Sequence, residues 1–203
     1  MQFVRNLNRR ILELSTLSLI VSSLLFSAPV SAETIAGVKL DDTIQVGSHN
    51  LKLNGAGIRY KVFFKVYVGA LYLPEFKHTT PEVLALPGAK RVNLVMLREL
   101  SNDDLGQRFL DGLRANLDVN ERTKLVGAMI SFGKMFSLVP KLKKGDVLSF
   151  DWIPNVGVVC MFNGEKIGEI INDPNFYSAV LKIWIGNHPA EEALKNKMLN
   201  VKD

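Results

Sequence analysis

Three histidines and one cysteine are all the imidazole and thiol side chains this chain carries, and they are scattered. His49, His78 and His188 lie far apart, none with a neighbour at metal-ligand spacing, so no metal site is expected. A lone Cys160 excludes an internal disulfide framework, and its setting in VGVVCMF marks a buried, inert thiol. There is no G-x-S-x-G elbow and no Cys-His signature. The GAG at 55–57 lacks the third glycine of a dinucleotide fingerprint and precedes a strand, so it reads as a tight turn. No basic block interleaved with aromatics follows residue 32; LKKGDV at 142–147 is a short solvated turn. Nucleic acid is therefore not an expected partner, and no cofactor is implied.

Also missing is any repeat, low-complexity run or linker that would divide residues 33–203. The first 32 residues read differently. MQFVRNLNRR carries three arginines, Leu14 to Phe26 is apolar and diluted only by small polar residues, and APVSA follows. That order is a secretory signal, with cleavage expected after Ala32. The apolar run is short for a membrane span, so no stable insertion is expected once the signal is removed. Losing Arg5, Arg9, Arg10 and Glu13 takes the formal charge from +5 to +3. What remains, 33–203, is the size of one domain with a core of its own.

In that domain TIQVGSHNLKLNG reads as a hairpin, and residues 63–73 as a long strand. Phe64, Val66, Val68, Ala70 and Tyr72 share one face of it; Lys65, Tyr67, Gly69, Leu71 and Leu73 share the other. Both faces are largely apolar, which predicts a central strand covered on both sides. A short helix is expected after Thr80-Pro81 and a strand over 91–97. Ser101 caps a helix with Leu105, Phe109, Leu113 and Leu117 on one face. A second helix over about 121–139 carries Leu125, Met129, Phe132, Phe136 and Val139. DVLSFDWIP is a strand, and Asn163-Gly164 turns a hairpin. Helices follow from Asp173-Pro174, ending at Gly186, and from His188-Pro189. Strands adjacent in sequence with helices in two blocks predict an α+β fold, an antiparallel sheet with helices on one face.

Arg59 stands at the mouth of the long strand. It can hold an anion, hold an acidic side chain, or point into water. A guanidinium keeps its charge when partly desolvated and grips a carboxylate with two parallel hydrogen bonds. Tyr67 and Tyr72 are the phenols near enough to add a donor.

The segments GAGIRYKVFFKVYVGALYL and VMLRELSNDDLGQRF, then FNGEKIGEIIN with NFYSAVLKIWIG, resemble the chalcone isomerase-like family over about 36–199, and within it the exported bacterial branch. The resemblance implies an open-faced β-sandwich, a large antiparallel sheet covered on one face by a helical layer, with a ligand cleft between them. It also implies, with the leader, a periplasmic protein. Some members isomerise chalcones by intramolecular addition; others are non-catalytic and hold a fatty-acid carboxylate with an arginine and a tyrosine. The family arginine falls on Arg59, and Tyr67 falls on the fatty-acid binders' tyrosine. The lysine, tyrosine and asparagine of the enzymes fall on Met96, Leu105 and Gly112, which would line an apolar cleft. Met129 and Phe132 are further wall candidates, though core packing accounts for them.

Three functions follow as expectations. The first is a non-catalytic binder of a fatty acid or similar amphiphilic carboxylate or phenolic ligand. The second is an isomerase or intramolecular lyase using Arg98 or Tyr72 as a replacement donor. The third is a structural or interaction protein with a closed cleft, in which a carboxylate such as Glu99 satisfies Arg59.

Overall fold

The computed structural model describes residues 32–139 and 141–201. Apart from Ala32, the leader read from the sequence lies outside them. Two short strands, β1 (Ala32–Ile35) and β2 (Val38–Asp41), form a hairpin of their own. The main sheet has seven antiparallel strands in sequence order: β3 (Thr43–Val46), β4 (His49–Lys61), β5 (Phe64–Leu73), β6 (Lys90–Met96), β7 (Val147–Ile153), β8 (Gly157–Phe162) and β9 (Glu165–Ile171). Every connection between neighbours is therefore a hairpin or a helical excursion that returns to the adjacent position.

Side-chain capping starts four of the five described helices. α1 (Thr80–Ala85) begins with a reciprocal box between Thr79 and Glu82, and α3 (Val119–Phe136) with one between Asp118 and Glu121. The Ser101 hydroxyl accepts from the Asp104 N–H to open α2 (Asn102–Asn116). Asp173 accepts from Asn175 and Phe176 to open α4 (Pro174–Ile185), with proline leading as expected. The last helix, α5 (Glu192–Met198), starts three residues beyond its expected Pro189 and has no side-chain cap, because the Glu191 carboxylate is engaged elsewhere.

The predicted faces of β5 hold from Tyr67 onward; Val66, expected on the face of Val68, instead packs against the large core and lines the same cavity as Tyr67. Tyr67, Leu71 and Leu73 belong to the large core beneath the helices, joined by Val92, Leu94 and Met96 of β6. Val68, Ala70 and Tyr72 belong to a smaller core on the other side, where Leu40 of β2 packs. All four residues of the α2 stripe are buried, and Phe109 sits in an aromatic cluster with Phe132, Phe136, Phe150 and Trp184. By its contacts, Ala32–Asp203 is one compact unit holding both cores.

The glycines of GAG do not make the expected turn. Gly55 and Gly57 lie inside β4, and a Cβ on either would strike α5: the Lys197 carbonyl at Gly55, the Lys197 side chain at Gly57. They are glycines because α5 sits directly on the strand, with its backbone against Gly55 and its side chains against Gly57. The chain reverses later, at Val62 and Phe63, with Val62 at φ +58°.

Candidate functional site

Arg59 is near the end of β4, and its cross-strand partner in β5 is Tyr67, whose own partner in β6 is Met96. Antiparallel register thus brings a guanidinium and a phenol side by side. The Arg59 Nη1 donates to Glu191 Oε2 at 3.2 Å, and the same oxygen accepts the Tyr60 N–H at 2.7 Å. Arg59 and Glu191 remain about a quarter exposed, so the pair sits at a rim rather than in the core.

Tyr67 is deeper. Its hydroxyl oxygen accepts from Trp184 Nε1 at 3.0 Å. Burial pushes its ionisation up to about 12, against the Trp184 hydrogen bond and the nearby Arg59 charge. It therefore keeps its proton at neutral pH, and no acceptor for that proton is found among the described residues. A protonated hydroxyl with one free donor, held beside a cation, is suited to a carboxylate.

Both side chains line a cavity of about 540 Å³ between the sheet and the helices. Val66, Leu100, Leu105, Phe109, Ile183 and Trp184 give it an apolar wall. Its charged groups are Arg59, Lys61, Arg98 and Arg108 against Asp104 and Asp111, a local excess of positive charge. Asp111 is already engaged by Gln107 and Arg114. The segment between α4 and α5 closes one side: Asn116 holds His188 through both backbone groups, placing Pro189 and Ala190 in the lining.

The chalcone isomerase-like family model matches residues 32–200. The chain belongs to that family. The crystal structure of a fatty-acid binding protein of Arabidopsis thaliana is similar, with a TM-score of 0.66 over 84% of this chain and 96% of that one. At 13% identity the likeness is one of fold. A search of curated proteins finds no match.

Of the family positions carried over from the sequence, Arg59, Tyr67, Leu105 and Gly112 line one cavity. Met96 does not: it is fully buried in the core under the helices. The absent side chain of Gly112 serves packing as much as room, since a Cβ there would meet Ile183 Cγ2 at 3.0 Å. Phe132 is core and Met129 half-buried beside it; neither lines the cavity. Arg98 does line it, whereas Tyr72 lies in the other core, beside Arg91. Glu99 pairs with Lys141, not with Arg59. Trp184 and Glu191 were not foreseen as site residues. For Glu191 no local signal exists, because 132 residues separate it from Arg59.

No group of three or more His, Cys, Asp or Glu side chains suited to a metal is found among the described residues. Burial raises the Cys160 thiol well above its ordinary range, which removes it as a nucleophile.

Proposed function

We propose that this family member is an exported, periplasmic and non-catalytic binder of a fatty acid or a similar amphiphilic carboxylate. The observation that carries the reading is the pairing of Arg59 and Tyr67 beside the apolar wall of one cavity. Its volume is within the range of about 300–1,000 Å³ usual for small-molecule sites. The ligand carboxylate takes the Arg59 guanidinium from Glu191 and accepts a hydrogen bond from the Tyr67 hydroxyl, while the acyl chain lies against Leu105, Phe109 and Ile183. The fatty-acid binding of the similar Arabidopsis protein supports the same direction. Leu105 and Gly112 stand where the resemblance gives the enzymes polar groups, which favours binding over cyclisation.

A second reading rests on the Arg59–Glu191 pair itself: the arginine is structural and the cavity is left without a head-group site. A thermal-shift titration of residues 33–203 with a fatty-acid panel separates the two. A ligand at 100 times its Kd stabilises by about 2.7 kcal/mol, which for this size raises Tm by roughly 5–10 °C. A chain-length-dependent shift that disappears in Arg59→Ala supports the binder. No shift, with Arg59→Ala itself destabilising, supports the structural reading. Turnover of a synthetic chalcone, lost in Arg59→Ala, would reinstate an isomerase.

A further inference from the structure

The turn between β4 and β5 projects three consecutive apolar residues into water: Val62 is 78% exposed, Phe63 89% and Phe64 63%. Single exposed apolar residues are ordinary, but a contiguous tip of this kind marks an interaction surface. Val62 is also β-branched in the left-handed region, an unfavourable conformation for that side chain. No packing compensates it, since the side chain touches little. Around the tip stand Lys61, Lys65 and Arg98, none with an acidic partner among the described residues. Arg98 lies over the Phe64 ring at 5.3 Å. The cavity reaches the same end of the molecule, with Lys61, Val66 and Arg98 in its lining.

We propose that this hairpin tip docks on an anionic lipid surface. Val62 and Phe63 enter the boundary between headgroups and acyl chains, and Lys61, Lys65 and Arg98 engage the phosphates. A protruding apolar point ringed by unpaired cations complements a soft, negatively charged surface. Among the described residues no helix is long and apolar enough to cross a membrane, and the proposed contact is made by the hairpin tip. Docking places the cavity mouth against the bilayer, where an amphiphile can pass between lipid and protein. That last step rests on the ligand reading; the docking does not.

The test is sedimentation of residues 33–203, a compact unit in itself, with phosphatidylcholine vesicles with and without phosphatidylglycerol. Binding is expected only with the anionic lipid. Phe63→Ser should weaken it about ten-fold or more, and neutralising Lys61 and Lys65 to Gln should cost about five-fold each. A Phe63→Trp probe should shift its emission to the blue on adding anionic vesicles. Absence of binding at low salt, or variants that bind like the parent, would overturn the proposal and leave the tip as a protein contact. Phe63→Ser should bind a soluble fatty acid normally, and Tyr67→Phe should dock normally. Failure of docking and failure of ligand binding are thereby read separately.

Discussion

Replacing Glu191 by Gln should tighten ligand binding, because the carboxylate competes with the ligand for Arg59. The pair is a single contact at 3.2 Å between side chains about a quarter exposed. Screened to that degree, such a pair is worth about 0.5–1 kcal/mol. Glutamine removes the charge and keeps an acceptor for the Tyr60 N–H, so the end of β4 stays in place. Releasing Arg59 should therefore lower Kd about two- to five-fold. Displacement of a fluorescent fatty acid measures it, and the gain should shrink as salt is raised. In an Arg59→Ala background the Glu191→Gln gain should vanish, since the two changes act on one interaction. Unchanged or weaker binding in Glu191→Gln would refute the competition and move the head-group site away from Arg59.

Tyr67→Phe should weaken ligand binding and also lower stability by about 1–3 kcal/mol, because the buried Trp184 N–H loses its acceptor; urea unfolding reads the second effect. Gly55→Ala should destabilise severely, as its Cβ would collide with the Lys197 carbonyl, and a drop of several degrees in Tm checks it. Arg91→Ala removes the partner of Asp151, held by two 2.6 Å hydrogen bonds on the sheet face away from the helices. That should cost about 3 kcal/mol at neutral pH. Burial already raises the Asp151 carboxyl, and without Arg91 it titrates higher still. A carboxyl whose folded value lies above its unfolded value favours folding when protonated. The deficit should accordingly narrow as pH falls from neutral, measured by urea midpoints across the range.

The parts of the fold legible in the sequence were those with local causes. The alternation over 67–73 separated the two cores because side chains alternate along a regular strand, though it failed at Val66, and the cap residues at 101 and 173 located two helices. The Asn163-Gly164 turn was readable because both residues tolerate positive φ. GAG was misread because the reason for its glycines, a helix 140 residues later, leaves no trace near them. Met96 and Leu105 looked alike as apolar replacements; only packing could show that one is sealed in the core and the other faces the cavity. Arg59 and Tyr67 could be matched to the family pattern, but the occupant of Arg59 could not be named.

The direct seating of α5 on β4 sets how quickly the site can change hands. With the helix backbone against Gly55 and the Leu194 and Lys197 side chains against Gly57, the helix has little room to swing, and Glu191 at its start cannot leave by riding outward with it. The carboxylate can release Arg59 only by turning about its own side-chain bonds. Such rotations take picoseconds to nanoseconds near a surface, far faster than diffusional encounter. Ligand association should therefore be a single exponential, linear in concentration, with no slow isomerisation ahead of it.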